Sequence, residues 1–472
     1  MMLKKSCPVA LAALALIASF LLSAVESSAQ EWGGGTHEGA GSGAKDLSGV
    51  AQGASRRAGI KRPVARRANR SSAQAGARKG AGQSRPSAEV YVEQGDDFAQ
   101  AGRFTEAVAA YNEALRLNPN EDDAYFGLGN AHRSLKQYAD AVAALRQAVR
   151  INPAYTDAYY QLGWIYNETG KFSEAIAALK QSLRLKADAA ESHAELGYAY
   201  QKLGRNSEAI ASYTEAVRLK PDNATALFAL GDIYYSNTRQ YAQAVEAYRQ
   251  GLLLDGENVT ALYNLGWSLN ELGRYAESVA WLNKAVHLNT NYVAAYNELG
   301  YAYHKLGRTQ EAIETYNHAI RLNSGNGPGY AALGDIYFNT KQYAQALEPY
   351  RRALQINPND IRVLYNVGFI YNDLSRYAEA LAPLEQAVRL KPELAKAHSE
   401  LGYTLHHLQR FREAVAAYRQ ALSLAPDFEL AHYYLGLTYL ELNDRDAAMA
   451  EYKILQNLKS QHAATLYNAI NR

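Results

Sequence analysis

The sequence predicts an all-α protein in which about eleven helix hairpins stack side by side into a solenoid. Glycine recurs every 34 residues, with a single step of 35, and a second small residue follows each glycine twelve or thirteen positions later. Small side chains at fixed offsets let two helices pack with their backbones close together, so the period marks a packing unit. The recurring glycines are Gly95, Gly129, Gly163, Gly197, Gly231, Gly266, Gly300, Gly334, Gly368, Gly402 and Gly436.

The first 29 residues have the layout of a secretory signal peptide. Lys4 and Lys5 precede an apolar run at 9–25, and the small residues Ser27 and Ala29 follow it. The sequence therefore predicts cleavage after Ala29 and an exported product, either periplasmic or secreted. The run of 17 residues is shorter than the ~20 that span a bilayer. A retained N-terminal membrane anchor is the alternative.

Residues 30–86 are rich in Gly, Ala, Ser and Arg. From 31 to 86 the chain has 11 Lys or Arg against 3 Asp or Glu, whereas residues 87–472 have 36 against 43. A segment of this composition cannot bury enough apolar surface to offset its chain entropy, so we predict a disordered basic linker. It is interpreted as a solvated spacer; contact with polyanions is the alternative.

Residues 190–223 show how one unit is built. Apolar and small residues fall at the spacings of one buried helical face, first before and then after a turn at 204–206. One hairpin cannot cover its own apolar face, so hairpins must stack. Eleven such units are predicted over 87–460, with a capping helix over 461–472. In the unit at 190–223 the core positions are His193, Leu196, Gly197 and Tyr200, then Ala209, Ile210, Tyr213, Ala216 and Val217.

The pattern of Leu196-Gly197, Tyr200, Ala209, Tyr213, Ala216 and Pro221 resembles the tetratricopeptide repeat. That resemblance implies a right-handed superhelix whose first helices line a concave groove for peptides or partner proteins. The groove positions of the family's clamp for C-terminal carboxylates are not occupied by the required Lys and Asn residues.

Four local departures from the repeat carry their own predictions. One extra residue near Ser236-Asn237 enlarges a turn, and Leu455 with the following stretch indicates the cap. Pro349 and Pro383 each remove a backbone donor inside a second helix, so we expect both helices to kink.

A longer period is superimposed on the first. ELGYAYQKLGR at 195–205 returns as ELGYAYHKLGR at 298–308 and as ELGYTLHHLQR at 400–410. Units three apart thus resemble each other more than neighbours do, and the chemistry of a groove would repeat at every third first helix.

This longer period selects one helix face as the candidate partner-binding surface. Aromatic rings beside an amide suit a ligand that is part apolar and part hydrogen-bonding, such as a peptide or a sugar. The alternative is that some of the rings pack between neighbouring first helices. The candidate residues are Tyr160, Trp164, Asn167, Tyr198, Asp232, Tyr263, Trp267, Asn270, Tyr301, Asp335, Tyr365, Phe369, Asn372 and Tyr403.

Signals for catalysis are absent from the sequence. It has no phosphate-binding loop, no HExxH and no nucleophile elbow, and its only cysteine, Cys7, precedes the predicted cleavage site. The histidines near residues 398–432 lack the fixed spacing of a metal site. We therefore expect no enzyme activity, no cofactor, no metal and no specific nucleic-acid partner. The sequence predicts an envelope scaffold that binds proteins or peptides; the alternatives are a glycan-binding solenoid, or an accessory subunit of polysaccharide or secretion machinery.

Overall fold

The computed structural model describes residues 87–472, and in that range the chain forms 23 α-helices and no strand. The predicted signal peptide and basic linker lie outside the described residues. Consecutive helices pair into repeats, which are numbered 1 to 11 from the N terminus, and each repeat has a first and a second helix.

Two compact units divide the chain, with their boundary between Asn289 and Thr290. The described part of the N-terminal unit, residues 87–289, contains six repeats. Its helices are α1 Ala88–Gln100, α2 Phe104–Leu117, α3 Asp122–Ser134, α4 Tyr138–Ile151, α5 Thr156–Glu168, α6 Phe172–Leu185, α7 Ala190–Lys202, α8 Asn206–Leu219, α9 Ala224–Asp232, α10 Tyr241–Leu254, α11 Val259–Glu271 and α12 Tyr275–Leu288.

The C-terminal unit, residues 290–472, contains five repeats and one further helix. Its helices are α13 Val293–Lys305, α14 Thr309–Leu322, α15 Gly327–Asn339, α16 Tyr343–Ile356, α17 Ile361–Asp373, α18 Tyr377–Leu390, α19 Ala395–His407, α20 Phe411–Leu424, α21 Glu429–Glu441, α22 Arg445–Asn457 and α23 His462–Ile470. Within each unit every helix packs on the next, which confirms the predicted stack of hairpins. The handedness of the superhelix stays a prediction.

In repeats 1 to 10 the recurring glycine holds the hairpin together because a side chain from the second helix occupies the place of its missing Cβ. A Cβ on Gly163 would lie 2.4 Å from Cγ of Leu179, and one on Gly197 would lie 2.9 Å from the ring of Tyr213. Even alanine would force the two helices apart at these positions. The predicted small residues are buried as well, as at Ala209, which has no exposed surface.

The turn inside each hairpin requires one residue in the left-handed region. In repeat 4 the N–H of Arg205 donates to the carbonyl of Tyr200 at 2.9 Å, and Gly204 has φ of +70°. This is the usual glycine-dependent end of a helix. Gly307 takes the same place in repeat 7, whereas in repeat 10 it is occupied by Gln409 with φ of +61°.

One pair of successive glycines is 35 residues apart instead of 34, and the extra residue lies at the end of the first helix of repeat 5. Residues Ile233–Asn237 form a turn of π-helix, and the N–H of Thr238 donates to the carbonyl of Ile233 at 3.1 Å. A π-turn accommodates one extra residue without shifting the faces of the flanking segments. The insertion predicted near Ser236-Asn237 is therefore confirmed.

The cap at the C terminus is also confirmed. Leu466 of α23 inserts onto Gly436 of repeat 11, where a Cβ would come within 2.6 Å of its side chain, and Leu455 is fully buried. Helices α16 and α18 run continuously through Pro349 and Pro383, so the predicted kinks remain a prediction. Among the described residues, no helix combines the length and hydropathy needed to cross a bilayer.

Replacing Gln409 with glycine should stabilise the C-terminal unit by about 1 kcal/mol, because a non-glycine residue at positive φ pays a steric cost that glycine avoids. Gly307→Gln, the reverse exchange in repeat 7, should destabilise by a similar amount, since no atom lies near the place of its Cβ and only the backbone conformation matters. Urea unfolding followed by circular dichroism measures both. Equal shifts of the same sign would contradict this account of the turn.

Candidate partner-binding surface

The structure places the fourteen candidate residues on first helices and separates them by exposure. Six are buried and present little surface to a partner; the other eight are partly exposed. The buried ones are Asn167, Tyr263, Asn270, Tyr365, Phe369 and Asn372. A direct role in binding, for either group, stays a prediction.

The large rings of repeats 6 and 9 join neighbouring repeats. Trp267 packs edge-to-face with Tyr235 and Tyr241 of repeat 5, at centroid distances of 4.9 and 5.3 Å. In the C-terminal unit, Phe369 meets Phe338 and Tyr343 of repeat 8 at 5.6 and 6.0 Å in the same arrangement. These contacts agree with the alternative interpretation, packing between first helices; Trp267 also stays partly exposed.

The asparagines bridge successive first helices. Nδ2 of Asn167 donates to the backbone carbonyl of Glu195 at 3.0 Å and to its carboxylate at 2.7 Å. Asn372 makes the same two bonds to Glu400, at 3.1 and 2.8 Å, and its Oδ1 accepts from the hydroxyl of Thr404 at 2.8 Å. These amides hold one repeat to the next. Asn372 uses both its oxygen and its nitrogen in doing so, whereas the buried Oδ1 of Asn167 has no hydrogen-bond partner among the described residues.

The aspartates accept a hydrogen bond from the tyrosine that packs on the glycine of the same repeat. The hydroxyl of Tyr248 donates to Asp232 at 2.7 Å, and Asn264 of repeat 6 donates to both groups, at 3.1 Å to Tyr248 and 3.3 Å to Asp232. Burial raises the pKa of Asp232 to about 6. The carboxylate thus serves the packing of repeats 5 and 6.

Repeats 8 and 9 contain the same network with a cation added. The hydroxyl of Tyr350 donates to Asp335 at 2.7 Å, and Asn366 donates to Tyr350 at 2.9 Å. Arg362 forms an ion pair with Asp335. Burial raises the pKa of Asp335, and the arginine opposes that rise. Spacing alone does not predict this role. A third copy of the Asp–Tyr pair, Asp96 with Tyr111, lies in repeat 1.

A smaller set of rings keeps part of its surface open to solvent. Tyr198 lies under Nζ of Lys202 at 5.3 Å, and Tyr301 lies under Lys305 at the same distance. Each lysine stands one helical turn after its tyrosine, so the two copies match in detail. The partly exposed rings of the candidate set are Tyr160, Trp164, Tyr198 and Trp267 in the N-terminal unit and Tyr301 and Tyr403 in the C-terminal unit.

One residue that the sequence did not single out belongs with these rings. The guanidinium of Arg133, at the end of α3, lies 4.9 Å from the ring centre of Trp164. It is partly buried, its Nε has no hydrogen-bond partner among the described residues, and burial lowers its pKa. The signal in the sequence was its register: Arg133 lies 34 residues before Asn167.

Family models described as tetratricopeptide repeat or TPR repeat match most of residues 92–462. The TPR repeat model matches 163–204, 202–237, 266–307, 334–375, 368–409 and 404–443. Further tetratricopeptide models match 92–156, 144–177, 224–258, 293–326 and 430–462. No curated protein sequence matches the chain significantly.

Several solved structures are similar in fold. YrrB, described as a TPR protein with an unusual peptide-binding site, is 24% identical with a TM-score of 0.36, over 40% of this chain and 97% of YrrB. MamA is 28% identical with a TM-score of 0.34, over 37% of this chain and 96% of MamA. Yeast Tom70 is 16% identical with a TM-score of 0.34, over 81% of this chain and 95% of Tom70.

Replacing Glu400 with Gln should remove a pH dependence of stability. Burial raises the pKa of Glu400 to about 7, against 4.5 for an ordinary glutamate. The folded chain therefore holds a proton that the unfolded chain releases, and stability falls as the pH rises from 4.5 to 7. Wild type should lose on the order of 2 kcal/mol more than Glu400→Gln across this window.

Urea unfolding at a series of pH values measures the difference between the two curves. Glu413→Gln is the matched control, because Glu413 is exposed and paired with Arg410, which lowers its pKa. Its curve should run parallel to wild type between pH 4.5 and 7. A Glu400→Gln curve that also ran parallel would refute the assignment.

Proposed function

The chain belongs to the tetratricopeptide repeat family, and we propose that it is a non-enzymatic scaffold of the cell envelope that binds segments of partner proteins along its first helices. The family assignment supports the general role of a protein-interaction scaffold. The envelope location, the binding surface and the absence of enzyme activity are the specific parts of the proposal.

The observation that carries the proposal is the recurrence of partly exposed rings at one register of successive first helices. Trp164 and Tyr198 stand directly after the packing glycines of repeats 3 and 4, and Trp267, Tyr301 and Tyr403 stand in the same place in repeats 6, 7 and 10. Tyrosine and tryptophan offer large contact areas at low entropic cost and dominate binding energy in protein interfaces. Within the N-terminal unit, rings at this register on neighbouring first helices suit an extended segment.

A glycan-binding solenoid is the second candidate, and the same rings favour it. An aromatic face stacks on the apolar face of a sugar as readily as on a side chain, and neighbouring lysines such as Lys202 could donate hydrogen bonds. A role as accessory subunit of a polysaccharide or secretion machine would be compatible with either ligand.

The envelope location is supported by the residues before the repeats. Lys4, Lys5 and the apolar run at 9–25 are typical of an export signal. We expect the mature protein to begin at Gln30, and N-terminal sequencing of the protein from fractionated cells measures this. Recovery with the membrane, with Met1 retained, would favour the anchored alternative, and recovery from the cytoplasm would contradict export.

Trp164→Ala and Trp267→Ala should each reduce the capture of partner proteins from an envelope extract at least about tenfold, because each removes a ring of hot-spot type. Trp281→Ala is the matched control, since Trp281 lies on the second helix α12 and is also only partly buried. Captured proteins are identified by mass spectrometry, and the same variants are tested on a glycan array. Melting curves confirm that all three variants fold.

The outcomes separate the two candidate functions. Loss of protein capture in the first-helix variants, with capture retained by Trp281→Ala, supports the scaffold. Loss of glycan retention with unchanged protein capture would transfer the assignment to the glycan-binding candidate. Equal loss in all three variants would contradict a binding surface on the first helices.

A further inference from the structure

The aromatic clusters between repeats occur in three copies, and one copy has a cation in place of a ring. In repeats 5 and 6 Tyr235 packs edge-to-face with Trp267 at 4.9 Å, and in repeats 8 and 9 Phe338 packs in the same way with Phe369 at 5.6 Å. The matching pair in repeats 2 and 3 is Arg133 with Trp164, also at 4.9 Å. Arg133 thus takes the place of a ring, and its partner on the next repeat is an aromatic residue as in the other two copies.

The charge of Arg133 is not balanced by the protein. The other partly buried arginines of the described chain all pair with carboxylates: Arg249 and Arg274 with Glu277, Arg362 with Asp335, and Arg410 with Glu413. The side chain of Arg133 forms no ion pair and no hydrogen bond within residues 87–472. The ionisable groups that face it are the phenols of Tyr138 and Tyr160.

A partly buried guanidinium without an acceptor leaves N–H donors that have lost part of their water and gained no protein partner. Such donors cost free energy until an acceptor arrives, and a carboxylate is the acceptor that matches the guanidinium fork best. Trp164 and Tyr160 lie on the next first helix and add apolar contact beside the charge. The site therefore combines one anion-binding group with rings.

We propose that Arg133, Trp164 and Tyr160 form a binding site in the N-terminal unit for an acidic side chain, Asp or Glu, of a bound protein segment. The inference rests on the proposed function and adds the chemistry of one partner residue. The charge of Arg133 selects the carboxylate, and the rings hold the apolar neighbours of that residue in the segment. A uronate in a polysaccharide shares the carboxylate but belongs to another class of ligand.

The test uses two libraries of immobilised decapeptides that differ only at one central position, Glu in the first library and Gln in the second. Wild-type full-length protein should bind Glu peptides about tenfold more tightly than their Gln twins, a difference of ~1.4 kcal/mol. Arg133→Tyr should abolish this preference and keep the fold, because a tyrosine already fills the matching place at Tyr235. Arg133→Gln is a second variant with the same expected loss.

Arg146→Gln is the matched control. Arg146 also stacks on a ring of the following repeat, that of Tyr166 at 5.9 Å, but it lies on the second helix α4, and its Nε donates to Tyr166 at 3.0 Å. This variant should keep the preference for Glu. Alginate, a polymer of uronates, is offered to the same proteins as the probe for the other class of ligand.

Each outcome decides the proposal. A Glu preference that is lost in both Arg133 variants and kept in Arg146→Gln supports it. A preference that survives Arg133→Tyr, or that is lost equally in Arg146→Gln, overturns it. Equal binding of both libraries, reduced by Trp164→Ala, overturns the acidic site and leaves the scaffold function standing. Binding of alginate that depends on Arg133, with no peptide bound, overturns both.

Discussion

The contact on which the rest of the structure depends is the insertion of one large side chain onto the glycine of each first helix, from the second helix of the same repeat in repeats 1 to 10 and from the capping helix in repeat 11. Leu179 on Gly163, Tyr213 on Gly197 and Tyr248 on Gly231 are successive examples. Because no side chain larger than hydrogen fits at the glycine, the two helices can approach closely only there. That approach fixes the rotation of both helices and therefore decides which residues face the next repeat.

The side chain that makes this contact varies with the three-repeat period of the sequence. Where the inserted side chain is leucine, as in repeats 3, 6 and 9, the residue after the glycine is Trp or Phe, and no polar group needs a partner. Where it is Tyr248 or Tyr350, the buried hydroxyl needs an acceptor, and an aspartate follows the glycine. In repeats 4, 7 and 10 the inserted side chain is also tyrosine, but a tyrosine and not an aspartate follows the glycine, and repeat 2 inserts Leu145 with Asn130 after its glycine. The inserted side chain therefore accounts for part of the chemistry at this position of the first helices and not for all of it.

Features that follow from one helix hairpin can be predicted from the sequence, whereas contacts between repeats cannot. The glycine spacing, the one extra residue near Ser236-Asn237 and the capping helix follow from local sequence patterns, and the structure confirms them. The burial of Phe369 could not be predicted in the same way, because it depends on Phe338 and Tyr343 of the preceding repeat. The hydrogen bond from Asn167 to Glu195 likewise joins two residues that lie 28 positions apart in the sequence, on successive first helices. Helical periodicity predicts the face on which a side chain lies, but the residue that covers that face depends on tertiary packing.

Packing and binding are not exclusive at the rings that remain partly exposed. Tyr235 and Tyr241 hold Trp267 edge-to-face, so its orientation is set before a partner arrives. A ring that is already held in one rotamer loses little conformational entropy when a partner binds to it. The smaller entropy loss makes the binding free energy more favourable. Arg133 lies over the ring of Trp164 at the same register as Tyr235 but adds a charge that packing does not require. A ring would have satisfied the packing there, as it does in the two later copies, so the cation at this position is explained better by a ligand than by the fold.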